Sequence, residues 1–160
     1  MKRVGLVRTL KGTILFLAAM AAFCYIEIFP HQILLLEEPG RQNADVPWLV
    51  TPGIIAVSIS AIPVAIALVL FWQICTEIGR DNSFCHKNAG RLTGIGFCAL
   101  IDTGYCAVGT VTLEILVGSP VWVLGLGVCT VGMAIALTAF LLSHLVLKAA
   151  DLKAENDLTI

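Results

Sequence analysis

The sequence predicts an all-α membrane protein: four transmembrane helices in an antiparallel bundle, both termini cytoplasmic. Three observations predict it. Of 160 residues, 58% are apolar and 13% charged, with a mean hydropathy of +0.93; an ordinary soluble domain is about 45–50% apolar and about 25% charged. Four apolar stretches are long enough for the ~20 residues that a helix needs to cross a ~30 Å hydrocarbon core. Lysine and arginine then divide unequally between the two sides that four crossings define. A net charge of −1 excludes bulk attraction for a polyanion, so direct nucleic-acid binding is not expected.

The spans are placed at 12–29, 49–74, 92–117 and 121–147, in a single membrane domain covering 1–160. Each is continuously apolar rather than alternating, which favours helices; in lipid, only helices and closed barrels satisfy every backbone N–H and C=O. The first connection carries Glu37, Glu38, Pro39, Gly40 and Asp45, and the second Arg80, Asp81, Asn82 and Ser83. The third is only Gly118-Ser119-Pro120, which forces spans three and four into a helical hairpin.

Lys2, Arg3, Arg8, Lys11, Arg80, Lys87, Arg91, Lys148 and Lys153 fall on one side, and only Arg41 on the other. The positive-inside rule puts the former side in the cytoplasm of a cell membrane. Trp48, Trp72 and Trp122 all fall at span ends, the headgroup level that indole prefers. Ala19-Met20-Ala21 resembles a signal-peptide cleavage site, but apolar residues continue through Phe23, Tyr25 and Ile26, so an uncleaved first span is expected.

Small residues let helices approach in lipid. Gly125, Cys129, Gly132, Ala136, Ala139 and Ser143 form one face of span four, and Gly94, Cys98, Asp102, Cys106 and Gly109 offer a matching stripe on span three. They are read as the hairpin interface; a pore lining or a homo-oligomer face are the other readings. The six cysteines make no CxxC pair, and no metal site, cofactor or disulfide is expected.

An ionisable group inside a span is a functional candidate. Asp102 lies about 15 Å into span three at 1.5 Å per residue, and no span supplies a Lys or Arg for it. In one reading it is protonated and donates to a neighbour, such as the Ile59 carbonyl that Pro63 frees. In the other it is a proton or cation site. His144 lies nearer the inner surface. Glu27 and Glu114 are expected to reach the outer interface, and Glu77 to offset Arg80 on the same helix.

The stretches Ser60-Ala61-Ile62-Pro63, Ile78-Gly79-Arg80-Asp81-Asn82-Ser83-Phe84, Asn88-Ala89-Gly90-Arg91-Leu92 and, most specifically, the terminal Glu155-Asn156-Asp157-Leu158-Thr159-Ile160 resemble the YoaS-like family. Its members are small four-span prokaryotic membrane proteins of unknown function. The resemblance implies no enzymatic activity. It implies a small helix-turn-helix regulator as partner, because genes of the family often stand beside one for such a regulator. This chain departs at Cys85, where family members often carry a serine.

The residues themselves agree that the fourth helix continues into water through Lys148, Asp151, Lys153 and Glu155, with Asn156 an acceptable stop. Leu158 and Ile160 then put apolar side chains on a wet terminus, where docking gives them a purpose. Arg80, Asp81, Phe84 and residues 155–160 are the candidate partner-binding residues. The expected function is non-enzymatic sequestration or sensing of a small regulator at the cytoplasmic face. The alternative is a small transporter or proton-coupled exporter using Asp102. A membrane enzyme lacks any dyad or phosphate-cradling loop to support it.

Overall fold

The computed structural model describes residues 2–34, 50–80, 83–117 and 122–157. The first span is α1 (Lys2–Phe23), a π-helical turn (Cys24–Ile28) and α2 (Phe29–Leu34) in one continuous rod. It is followed by α3 (Val50–Gly79), α4 (His86–Val117) and α5 (Trp122–Asp157). Among the described residues, four stretches are long and apolar enough to cross a membrane: Val7–His31, Thr51–Gly79, His86–Leu116 and Gly125–Asn156. Trp48, Arg41, Asp81, the third link and the tail residues Leu158, Thr159 and Ile160 lie outside the described residues.

The helices overrun the expected spans. The first does not stop before Pro30, because the turn just before it is widened: the Phe29 N–H bonds the Cys24 carbonyl, five residues back. That widening accommodates a ring that would otherwise crowd the preceding turn and that supplies no N–H of its own. α4 begins at His86, where the Cys85 carbonyl accepts the backbone N–H groups of both Asn88 and Ala89 (3.0 and 3.3 Å). α5 has 36 residues, about 54 Å at 1.5 Å per residue, so it projects well past any bilayer core.

Packing runs in series. α5 lies on α4, α4 on α3, and α3 on α1, with α1 and α5 making no contact of comparable extent. Lys11 sits over the Trp72 ring at 4.9 Å and Val7 reaches Gly79, so the start of α1 lies beside the end of α3. The N-terminal end, the turn between α3 and α4, and the end of α5 therefore share one end of the molecule, hereafter the turn end. Large apolar side chains such as Phe16, Ile62, Val108 and Leu141 are exposed along every span, as a lipid-facing surface requires. Lipid-facing hydroxyls bond the carbonyl four residues back in their own helix, as Thr13, Ser58, Thr112, Thr130 and Thr138 do at 2.7–3.0 Å. No exposed hydroxyl of this set needs water.

The tightest seam is α4 against α5. A methyl added at Gly132 would overlap Thr103, one at Gly125 would overlap Thr110, and one at Gly96 would press on the Phe140 ring. Ser143 donates to the Ala89 carbonyl at 2.7 Å and lies 2.7 Å from Thr93 Oγ1. Positions fall on α4 as they rise on α5, the mark of an antiparallel pair in register. The expected stripe on span four is the buried one, with Ala136, Ala139 and Ser143 all under 9% exposed.

The expected stripe on span three is corrected. Gly94 meets Leu70 of α3 instead, and Gly109 meets nothing within 4 Å. The α4 seam is Ala89, Thr93, Gly96, Thr103 and Thr110. Each of its threonines returns its hydroxyl to the carbonyl four residues back, at 2.6–3.2 Å. With its polar atom satisfied, threonine behaves as a small packing residue.

Candidate functional site

Two places gather the candidate residues. The first is mid-membrane. Pro63 lies inside α3, and the polar groups around it come from three helices. Ser60 is buried, bonds the Val57 carbonyl at 2.9 Å and lies 3.3 Å from Tyr25 Oη of the π turn. Tyr105 of α4 donates to the Ala56 carbonyl at 2.9 Å. Tyr105→Phe is expected to lower thermal stability in detergent by about 0.6 kcal/mol, the average of such intramembrane bonds.

Asp102 makes no hydrogen bond to this set, although it lies within electrostatic range of Tyr25. Its Oδ1 is buried and makes no hydrogen bond among the described residues, so the expected donation to the region of Ile59 is not formed. The acid instead lines an open groove of about 750 Å³ whose other wall is α5: Val123, Gly127, Val128, Val131, Gly132 and Ile135. The reason is helical phase. Thr103 holds the α5 seam, and a neighbouring position points about 100° away from it. His144 is exposed on α5. Glu114 is corrected from a wet carboxylate: its Oε2 is buried and unpaired among the described residues.

The second place is the turn end. Arg80 follows α3 and is exposed, and Phe84 stands in the turn at 55% exposure. Glu155 and Asn156 are exposed on the last turns of α5, and both are engaged in contacts. Asp157 ends that helix.

What ties these parts together was not legible as a site in the sequence. His86 Nε2 and Asp151 Oδ1 are 2.9 Å apart, linking the start of α4 to the overhang of α5 one helical turn before Glu155. Glu77 pairs with Arg91 of α4 at 3.8 Å, not with Arg80. Arg91 also donates to Gln73 Oε1 (3.0 Å) and Asn88 Oδ1 (2.9 Å), and Asn88 Nδ2 closes the turn on the Ser83 carbonyl (3.1 Å). Arg80 carries the same guanidinium but is exposed beyond the end of α3, whereas that of Arg91 is only 20% exposed and is held beside Glu77 by Gln73 and Asn88, its fork reaching several acceptors at once. The signal in the sequence was positional: Arg91 follows the turn closely enough to fold back on α3.

The comparisons with known proteins give a family and a relative. The family described as "Protein of unknown function (DUF2975)" matches residues 34–160. The "Uncharacterized membrane protein YoaS" of Bacillus subtilis (strain 168) is 30% identical over 106 residues, 64% of this chain and 66% of that protein. The match thus spans just under two thirds of that relative's length. No solved structure matches.

Proposed function

Because this chain belongs to the DUF2975 family of unknown function and is a multi-pass membrane protein, we propose that it acts as a non-enzymatic membrane platform holding a small helix-turn-helix regulator at its turn end. The observation that carries this reading is the α5 overhang, held to the turn by the His86–Asp151 contact. A bare anchor needs no such extension. The turn end thus presents Phe84 (55% exposed) in the turn and Leu152 (61%) on the overhang, together with the charged groups of Arg80 and Glu155 and the amide of Asn156, a mixed face of the kind that takes an amphipathic helix.

The mechanism is sequestration: a regulator bound at the bilayer cannot reach DNA. Release requires a differential affinity of a few kcal/mol between two states of the platform. The reading places both termini in the cytoplasm, as the nine basic residues at the turn end support. A reporter fused after Ile160 is therefore expected to be shielded from an impermeant reagent on intact cells, and labelling would overturn that orientation. The functional test follows the tagged product of a helix-turn-helix gene adjoining this one, the neighbour the reading requires, through membrane fractionation. It is expected in the membrane fraction with the intact chain, and in the soluble fraction when residues 158–160 are deleted or when Phe84→Ala and Asp151→Ala are combined. A regulator that stays soluble throughout refutes the platform.

A second reading, a small proton- or cation-coupled transporter, is favoured by one observation: the buried, unpaired Oδ1 of Asp102 on an open groove. Asp102→Asn is expected to abolish flux while leaving the chain in the membrane.

A further inference from the structure

We propose that the Asp102 groove binds a lipophilic monovalent cation from within the bilayer. This deepens the second reading above and rests on its assignment of Asp102 as an ion site, but it concerns binding and not flux. Three features carry it.

The first is chemical complementarity. One acidic side chain stands among Val123, Val128, Val131 and Ile135, so the groove offers apolar walls and a single negative centre. Its acid lacks a hydrogen bond on the buried Oδ1. Residues 12–29, 49–74 and 92–147 contain no Lys or Arg, so the chain itself supplies no cationic partner at this depth.

The second is Gly127. Gly125 and Gly132 are glycine because Thr110 and Thr103 occupy the space of a side chain, whereas Gly127 has nothing within 4 Å of where its Cβ would lie. A helix-interior glycine costs about 1 kcal/mol relative to alanine. Here no packing offsets that cost, and what the missing side chain leaves is groove.

The third is depth. Asp102 is sixteen residues into α4 from His86, about 24 Å along the axis, and Val131 is nine residues into α5 from Trp122, about 14 Å. The headgroup of a lipid, charged or zwitterionic, stays at the surface. A cation whose charge is spread or wrapped in hydrocarbon reaches the middle. A second copy of this chain has no Lys or Arg within residues 12–29, 49–74 or 92–147, so it brings no counter-charge to that depth and fits the groove less well than a cation does.

The test uses the full chain in neutral-lipid nanodiscs with radiolabelled tetraphenylphosphonium. Saturable binding above that of protein-free nanodiscs is expected. Asp102→Asn is expected to weaken it at least tenfold, and Asp102→Glu to keep most of it. At Gly127 a Cβ meets nothing within 4 Å, so Gly127→Leu is expected to fill the groove and weaken binding at least tenfold with an unchanged unfolding midpoint. Should Asp102→Asn fail to fold, Gly127→Leu decides alone. Binding no greater than in empty nanodiscs overturns the proposal, as does full binding by Gly127→Leu or a cross-linked second copy seated on Val128 and Val131. Saturable binding without gradient-driven flux would retain the site and remove the transporter.

Discussion

Gly132→Val is expected to separate α4 from α5 and to cause the largest stability loss of any single change in the membrane core. The added Cβ would occupy the position of Thr103 Oγ1. Thr103 has nowhere to go: it is 8% exposed, and its hydroxyl is held by the Ala99 carbonyl at 2.6 Å. Overpacking costs about 1–3 kcal/mol in soluble cores. In lipid the helices also lack a hydrophobic force to press them back together, because acyl chains solvate a parted seam as well as a leucine would. Unfolding in a mild-to-harsh detergent titration measures the loss. Gly104→Ala is the control, since nothing lies within 4 Å there; it is expected to be neutral or to gain up to about 1 kcal/mol from helix propensity. Equal losses at the two glycines would show that the seam is not where the fold is held.

Arg91→Ala is expected to loosen the turn end by about 2–3 kcal/mol. Three interactions go at once, to Gln73, Asn88 and Glu77. The Glu77 side chain is only 17% exposed, so it is left as a largely desolvated charge, and stranding such a group costs more than its pair contributes. Arg91→Lys is expected to recover little, because an ammonium cannot span three acceptors in a fixed plane. Pairing Arg91→Ala with Glu77→Gln is expected to restore part of the loss by removing the stranded charge. If the double change is no better than the single one, the ion pair is not what Arg91 supplies.

The fold was legible because its signals are coarse. Runs of about twenty apolar residues, one short link and the distribution of basic residues require no knowledge of contacts. The glycine-alanine face of α5 was legible for a related reason: small residues at steps of four and three have few other uses in lipid. Its partner on α4 was misread because threonine counts as polar in a sequence. Only its geometry shows the hydroxyl turned back on Ala99 or Cys106 while the side chain lies against a glycine. Asp102 was legible as a residue but not as a place, since a one-residue difference in phase decides whether it meets Pro63 or the groove. The His86–Asp151 and Glu77–Arg91 pairs join residues far apart in the chain or across a turn, and residue type alone ranks Arg80 as highly as Arg91.

The widened turn at Cys24–Ile28 also changes how the first span is to be read. Half-buried positions recur at Val7, Leu10, Lys11, Ile14, Ala18, Ala21, Cys24 and Tyr25, at spacings of three and four, and then skip from Tyr25 to Pro30, while Ile28 and Phe29 are exposed. The step of five is one residue more than a regular helix allows. A single wheel drawn through this span would therefore put Phe29 against α3 and Pro30 in lipid, about a quarter-turn wrong. Removing one residue from the widened turn would close the gap and aim everything downstream at a different neighbour, so a deletion there is a rotation in disguise.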